Sequence, residues 1–269
     1  FLTIINNTKL LMTQTRMDEI LNGYYKLTNQ RKRKVFMGPQ PVTLNFNSLD
    51  KNKFGSIIYD YAVTEKADGL RQLMYIGEDK IGYLINSKMN NIINTGIEFP
   101  VKGEWLLDGE YIQKNKNGED IQLYMIFDVY WAENTPKAAN KYPFIGEGIS
   151  RYEILESFRE YVKKSKIKYE DFNTFRIDFK KYEFGTSRVV DKKDNALLQK
   201  TIFVKSKNIL DRSFKGGYEY EIDGLIYLPV NIPVKGNNDM KPVDFINGTW
   251  EYNYKWKPPE ENTIDFKVK

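Results

Sequence analysis

Lys66 lies in the stretch TEKADGLR, residues 64–71, between apolar and aromatic runs that indicate buried strands. A solvated lysine on an edge strand is the commoner interpretation of one such residue. A lysine can also act as a nucleophile, provided that burial or neighbouring cations favour its neutral form. Asp68 and Gly69 then indicate a tight turn where a ligand can approach the backbone. Arg71 could bind a phosphate or a carboxylate as a planar fork.

Two further segments, LLDGEYI and EYEIDGLIYLP, place carboxylates in strand context. Asp108-Gly109 and Asp223-Gly224 could each be a hairpin turn, which is the commoner meaning of Asp-Gly between strands. In a functional interpretation, Glu110 starts the return strand and points into a site beside a metal or the lysine. Asp223, together with Glu221 on the same strand face, could hold a divalent cation.

The segment YKWKPPEENTIDFK carries a pair of lysines close to the end of the sequence. Lys255 and Lys257 alternate along a predicted strand, so both point to one face, while Trp256 faces the core. A solvated edge strand bearing lysines would explain them without any function. The functional interpretation is a pair of cations aimed at a phosphate.

The composition limits the chemistry that this chain can perform. The 269 residues include no cysteine and no histidine, which excludes disulfides, thiolate zinc sites, cysteine nucleophiles and Ser-His-Asp triads. Any metal would be bound by oxygen ligands, as Mg²⁺ or Mn²⁺ is. A net charge of +5 suits a polyanionic partner or simply a solvated surface. No apolar run approaches the roughly 20 residues of a membrane span.

The periodicity predicts an α+β fold with largely antiparallel sheets flanked by helices. Residues 1–35 form a helical lead-in from a preceding domain, with the helix broken at Gly23, and residues 36–269 form the main domain. Ser150 and Glu153 predict a capping box at the start of a helix. A second helix is predicted over residues 194–210, and a looser stretch over 230–248 separates the last two strands.

Taken together, the motifs form an ordered series: K-x-D-G-x-R, D-G-E, I-F-D, D-G-L-I-Y and K-W-K-P. This order resembles the mRNA capping guanylyltransferases, within the covalent nucleotidyltransferase superfamily that also contains ATP- and NAD-dependent ligases. The segment FMGPQPVTL, residues 36–44, is similar to the family's F-P-G-x-Q-P-V-S. The end of the chain is similar to K-W-K-P followed by N-T-V-D-F, and D-G-L-I-Y stands where ligases carry E-G. The likeness is greatest to capping enzymes of large DNA viruses.

The resemblance implies a ligase-like nucleotidyltransferase fold and a reaction in two steps. Lys66 would attack the α-phosphate of GTP to form a covalent lysyl-GMP, and GMP would then pass to the 5′-diphosphate end of RNA, with Mg²⁺ or Mn²⁺ as the metal. Phe127 would stack on guanine, Glu110 would lie near the ribose or metal, and Asp223 would hold the metal. The remaining nucleotide contacts that the resemblance implies are Gln40, Glu65, Asp68, Gly69, Arg71, Lys255 and Lys257.

Two departures from the family pattern carry expectations of their own. The family's ribose-contacting arginine, in a pattern like I-D-R, is replaced here by LINSKMN, so Ser87 or Lys88 would take its place. The chain also ends just after K-W-K-P, so the OB-fold lid that normally follows is absent from it. Because such a lid orients pyrophosphate and excludes water, we expect this piece to bind GTP but to guanylylate itself poorly.

The resemblance also implies partners and a compartment. Triphosphatase, methyltransferase and OB-fold modules would belong to the same polypeptide, which would be intracellular: at a cytoplasmic replication site or in the virion if viral, and otherwise in the nucleus. Two alternatives stay open: an ATP-dependent RNA or DNA ligase, and an inactive domain that only binds RNA or a partner protein.

Overall fold

Two sheets, each in its own unit, organise the residues that the computed structural model describes, which are 12–30, 34–133, 138–167, 175–186 and 201–259. The seven-stranded unit comprises Phe1–Pro39, Gly69–Lys180 and Asn231–Gly248. The five-stranded unit comprises Gln40–Asp68, Lys181–Val230 and Thr249–Lys269. The predicted division at residue 36 stays a prediction.

The sheet of the seven-stranded unit is antiparallel except at one edge. Its strands lie in the order β8-β5-β4-β3-β6-β7-β9, and only the pairing of β7 with β9 is parallel. Their bounds are β3 Leu70–Ile76, β4 Ile81–Asn86, β5 Ile92–Glu98, β6 Trp105–Lys114, β7 Asp120–Ala132, β8 Lys166–Ile167 and β9 Arg176–Phe179.

Two helices belong to this unit, α1 over Gln14–Leu27 and α2 over Arg151–Lys164. The predicted start of α2 is confirmed, since the Ser150 side chain accepts a hydrogen bond from the Glu153 N–H as the N-cap half of a capping box does. The predicted break at Gly23 is wrong, because α1 continues through it. A side chain at Gly23 would clash with the Tyr75 hydroxyl, so the glycine serves close packing of the helix on β3.

The five-stranded unit has strands in the order β1-β12-β11-β2-β10. Their bounds are β1 Pro39–Thr43, β2 Tyr61–Ala67, β10 Glu183–Phe184, β11 Ile222–Pro229 and β12 Gly248–Trp256. The helix α3, Ile202–Phe214, packs on one face of this sheet over a core that includes Val63, Leu225 and Tyr254. Of the helix predicted over 194–210, residues 194–200 lie outside the described part. Within that part the helix starts after its N-cap Thr201 and ends four residues later than predicted.

The α+β prediction with largely antiparallel sheets is confirmed by these two sheets and three helices. The looser stretch is confirmed as well, since residues 231–247 contain no helix and no strand. In the described part of the chain, no helix is both long and apolar enough to cross a membrane.

Candidate active site

The Asp223 carboxylate lies between two lysine ammonium groups in the five-stranded unit. Lys66 Nζ donates to Asp223 Oδ1 at 2.7 Å and to Oδ2 at 2.8 Å. Lys257 Nζ lies 2.8 Å from Oδ2. The three side chains are partly open to solvent, at 25% for Lys66, 18% for Asp223 and 33% for Lys257. The structure therefore joins three residues that are far apart in the sequence.

The strand register explains why these groups meet. Leu225 lies opposite both Glu65 and Trp256, and it belongs to the core under α3. Because side chains alternate along a strand, Lys66 lies on the opposite face of the sheet, away from that core. Lys257 directly follows the last residue of β12, so the lysine pair spans the end of this strand rather than its interior.

Asp223-Gly224 is a bulge inside β11 and not a hairpin turn. The register between β11 and β2 shifts between Ile222 and Leu225, which places the bulge at these two residues. Gly224 has a φ of 150°, and a side chain there would clash with the Trp256 carbonyl. Glycine therefore allows β12 to pass close to the bulge that carries Asp223.

The two ammonium groups control the charge on Asp223. Partial burial raises the pKa of this carboxyl, but hydrogen bonds from Lys257 and Lys66 outweigh that effect, so the pKa lies below its ordinary value. The carboxylate is thus ionised near neutral pH. Lys66 donates to this carboxylate, and a lysine acts as a nucleophile only through its neutral amine.

Two other predicted residues of the five-stranded unit, Glu65 and Gln40, lie apart from this cluster. Glu65 is buried, and its carboxylate accepts a hydrogen bond of 3.0 Å from the Tyr220 hydroxyl. Gln40 is exposed and shares its strand face with Val42, which packs against the core. The structure therefore does not bring Glu65 or Gln40 to Lys66. The Lys255 side chain lies on the face of Thr64, and within the described part of the chain its ammonium has no ion-pair partner.

Asp68 and Gly69 form the exposed link between β2 and β3, as the predicted turn requires. The Asp68 N–H donates to the Glu221 carbonyl at 3.0 Å, so Glu221 holds this link through its backbone. An added Cβ at Gly69 would lie 2.8 Å from Glu110 Cγ, so the strand carrying Glu110 passes close by. Ser87 and Lys88 are exposed in the turn that follows β4.

In the seven-stranded unit, Arg71 is bound to a carboxylate that is fully buried. Arg71 Nε donates to Asp108 Oδ1 at 3.0 Å, and Nη2 donates to Oδ2. Tyr130 Oη donates to the same Oδ2 at 2.5 Å. Asp108-Gly109 is therefore not the hairpin turn that the sequence suggested, because both residues lie inside β6. Asp108 is two residues from Glu110, and this spacing puts both carboxylates on the same face.

Phe127 lies beside two cations of the same unit. Its ring centroid is 5.7 Å from Arg71 Cζ and 5.2 Å from Lys180 Nζ. Lys180 is buried, at 7% exposure, directly after β9. Sequence reasoning missed Lys180, Asp108 and Tyr130 as candidate site residues. The period-two spacing to Glu110 could have found Asp108, whereas no local pattern distinguishes Lys180 or Tyr130.

A cavity of about 380 Å³ lies elsewhere in the seven-stranded unit, under α1. It is lined on one side by Arg16 and Glu19 and on the other by Tyr75, Asp79 and Tyr83. Arg16 bridges the two sides, since its Nη2 donates to the Asp79 carboxylate at 2.5 Å. None of the predicted site residues lines this cavity.

The model of one protein family, described as mRNA capping enzyme, catalytic domain, matches residues 4–258. The chain is 26% identical over 294 residues to a probable mRNA-capping enzyme of Acanthamoeba polyphaga mimivirus, covering 99% of this chain and 24% of that protein. It is 25% identical over 277 residues to an mRNA-capping enzyme of Danio rerio, covering 98% and 39%. An mRNA-capping enzyme subunit alpha of Saccharomyces cerevisiae is 26% identical over 271 residues, covering 90% and 50%.

The chain thus spans between about a quarter and a half of the length of these relatives. Among solved structures, it is similar to a mycobacterial DNA ligase D complexed with ATP and MES, at 12% identity and a TM-score of 0.45. That alignment covers 82% of this chain and 60% of the ligase chain. A likeness at this TM-score is too distant to bear on function.

Proposed function

Because this chain belongs to the family of mRNA capping enzyme catalytic domains, we propose that it acts as an mRNA guanylyltransferase. The neutral amine of Lys66 attacks the α-phosphorus of GTP, a nitrogen–phosphorus bond forms while the bond to the bridging oxygen breaks, and pyrophosphate leaves with that oxygen as the surplus proton of the amine passes to solvent. The terminal phosphate of a 5′-diphosphate RNA then attacks the same phosphorus, the nitrogen–phosphorus bond breaks, and Lys66 takes up a proton as GMP passes to the RNA.

The observation that carries this proposal is the contact of Lys66 with Asp223 beside Lys257. A lysine nucleophile needs a group that orients it and nearby positive charge to receive the phosphates. Asp223 holds the Lys66 side chain in one position, and Lys257 provides a second partner for Asp223 when Lys66 loses its proton. We propose that Lys257 and Lys255 contact the α-phosphate.

A divalent cation belongs to this proposal, and carboxylates are the side chains that would hold it. No group of three or more metal-ligand side chains of the His, Cys, Asp or Glu types occurs in the described part of the chain. Mg²⁺, however, is commonly held by one or two carboxylates together with substrate phosphates. We propose Asp223 and Glu110 as the carboxylates for Mg²⁺ or Mn²⁺. Such an ion supplies charge neutralisation at the transferring phosphoryl group.

The nucleoside end of GTP is assigned to residues of the seven-stranded unit. We propose that guanine stacks on Phe127, that Arg71 and Glu110 form the wall beside it, and that Asp68 and Gly69 allow the nucleotide to approach the backbone. Gln40 and Glu65 stay outside this proposed site. RNA with a 5′-diphosphate end is the proposed acceptor, and other capping modules of the same intracellular polypeptide are the proposed partners.

Covalent labelling tests the function directly. The chain is incubated in excess over GTP or ATP carrying a radioactive α-phosphate, with Mn²⁺, over a time course long enough to detect a slow single turnover. We expect a labelled band from GTP that resists denaturation and is released by acid, as a phosphoamide is. Label from ATP and not from GTP would support a ligase instead. Absence of both label and GTP binding would contradict any nucleotidyltransferase role.

Lys180 provides a test of the choice of base. Its buried ammonium lies beside Phe127 and can donate to the O6 and N7 acceptors of guanine, whereas adenine presents an amino donor at the position of O6. We expect Lys180→Met to weaken GTP binding by about ten-fold or more and to reduce the preference over ATP, since such contacts contribute about 1–3 kcal/mol. Calorimetric titration with both nucleotides measures this change.

Lys80→Met is the matched control for this variant. Lys80 lies in the same unit, and its Nζ donates to the Gly103 carbonyl at 3.0 Å, away from Phe127. The control should retain the preference for GTP. Equal loss of GTP and ATP binding in Lys180→Met would show that Lys180 does not read the base.

A further inference from the structure

Asp108 is a buried carboxylate whose hydrogen-bond partners all belong to one short network. It has 0% exposure and accepts from two nitrogens of Arg71 and from the Tyr130 hydroxyl. An ionised carboxylate in such a place requires several charge-assisted hydrogen bonds, because burial disfavours its charge. Tyr130 therefore supplies one donor and Arg71 supplies the counter-charge.

Arg71 is fixed on every side of its guanidinium group. Its Nη1 donates to the Pro39 carbonyl at 2.6 Å, in addition to the two bonds with Asp108. With the longer bond from Nη2 to the Tyr130 hydroxyl at 3.5 Å, each of the three guanidinium nitrogens donates to a neighbour. The rings of Phe36 and Phe127 lie 5.9 and 5.7 Å from Arg71 Cζ. A guanidinium held in this way cannot open as a fork for a phosphate, but it can hold an aromatic ring in place.

The Tyr130 hydroxyl donates to Asp108 and also accepts a longer hydrogen bond, of 3.5 Å, from Arg71 Nη2. Burial, followed by the nearby Asp108 charge, raises the pKa of Tyr130 well above its ordinary value. The hydroxyl therefore keeps its proton near neutral pH. Its hydrogen bond to Asp108 limits the ways in which the carboxylate can turn.

We propose that Tyr130 is a positioning residue for the nucleoside end of GTP, acting through Asp108 and Arg71 on the ring of Phe127. This inference rests on the proposed function, because it takes GTP as the ligand and Phe127 as the stacking ring. Without the Tyr130 hydroxyl, the carboxylate and the guanidinium can rotate together, and the Phe127 ring loses its fixed neighbour. The phosphate end of the ligand does not depend on this network.

Tyr130→Phe removes only the hydroxyl, and the same strand offers a matched control in Tyr124→Phe. Tyr124 is also fully buried, but its hydroxyl donates to the Gln72 carbonyl at 2.8 Å instead of to Asp108. We expect Tyr130→Phe to weaken GTP binding by about ten-fold, as for a lost hydrogen bond to a charged group. Tripolyphosphate, which lacks a nucleoside, should bind within about two-fold of its wild-type affinity.

The comparison of the two ligands separates positioning from a merely structural role. Calorimetric titration with GTP and with tripolyphosphate is carried out on wild type, Tyr130→Phe and Tyr124→Phe. A structural defect would lower the affinity for both ligands alike, or would affect the two tyrosine variants equally. Either result would overturn the inference.

A double variant tests whether the effect passes through Phe127. If Tyr130 acts on this ring, Tyr130→Phe combined with Phe127→Leu should bind GTP as Phe127→Leu alone does, because the two losses are not additive. Additive losses would show that Tyr130 acts elsewhere. If the wild type binds GTP and Tyr130→Phe binds it equally well, only this inference is overturned. If the wild type does not bind GTP, the proposed function is overturned as well.

Discussion

Replacement of Lys66 by alanine is expected to abolish the covalent adduct with GTP, lowering the labelling rate by more than about a thousand-fold. The phosphoamide bond forms at Lys66 Nζ. In the described part of the chain, the only other amine that contacts Asp223 is that of Lys257, which lies on a different strand end. Labelling with GTP that carries a radioactive α-phosphate, followed by a denaturing gel, measures the loss. Lys66→Arg should also be inactive, because guanidinium stays protonated.

Lys205→Ala is the matched control for the nucleophile. Lys205 also lies in the five-stranded unit, has the same 25% exposure, and forms an ion pair of 3.0 Å with Glu183. It should keep the wild-type labelling rate. Label that survives in Lys66→Ala would refute the nucleophile assignment. Equal loss in both variants would point to general damage to the fold.

The second large effect is expected on stability, from Arg151→Leu. Arg151 is fully buried at the start of α2, where its Nε donates to Asp128 Oδ1 at 2.8 Å and its Nη1 donates to the Tyr142 carbonyl at 2.6 Å. Loss of the guanidinium leaves a buried carboxylate without its counter-charge. We expect the free energy of unfolding to fall by about 3–5 kcal/mol, as measured by urea titration.

Replacing both residues of this pair is expected to restore part of the stability that Arg151→Leu loses. Arg151→Leu combined with Asp128→Leu removes both charges from the interior, so it should be more stable than Arg151→Leu alone. Burial raises the pKa of Asp128, and the charge and hydrogen bonds of Arg151 are the largest effects that oppose this rise. Lys163→Gln, at an exposed pair on the same helix, should leave the urea midpoint unchanged. If Arg151→Leu were as stable as the wild type, this account would be contradicted.

Local sequence patterns predicted the helix α2 well, because its start depends on two side chains only three residues apart. Ser150 and Glu153 are sufficient to identify the N-cap, and Ile154 and Leu155 in the first turns of the helix are buried. The ordered series of motifs likewise selected Lys66, Asp223 and Lys257, which the structure joins. The motifs could identify these three residues because each motif lies on or beside a strand that pairs with its neighbour.

The parts that sequence reasoning missed depend on contacts between distant segments. Asp-Gly commonly marks a turn, but at Asp108 and Asp223 the neighbouring strands continue the pairing through it. Gly23 is a poor helix residue, yet the contact with Tyr75 decides its conformation. Tyr130 and Lys180 gain their surroundings only when β7 pairs with its neighbours. No pattern within one strand contains that information.

The bulge at Gly224 has a consequence for how relatives of this chain can be sorted. Any residue larger than glycine at this position would push away the Trp256 carbonyl, and Trp256 directly precedes Lys257. The position of Lys257 beside Asp223 therefore depends on the absence of a side chain at Gly224. In a newly sequenced relative, we therefore expect a residue other than glycine at the position of Gly224 to disturb this charge arrangement.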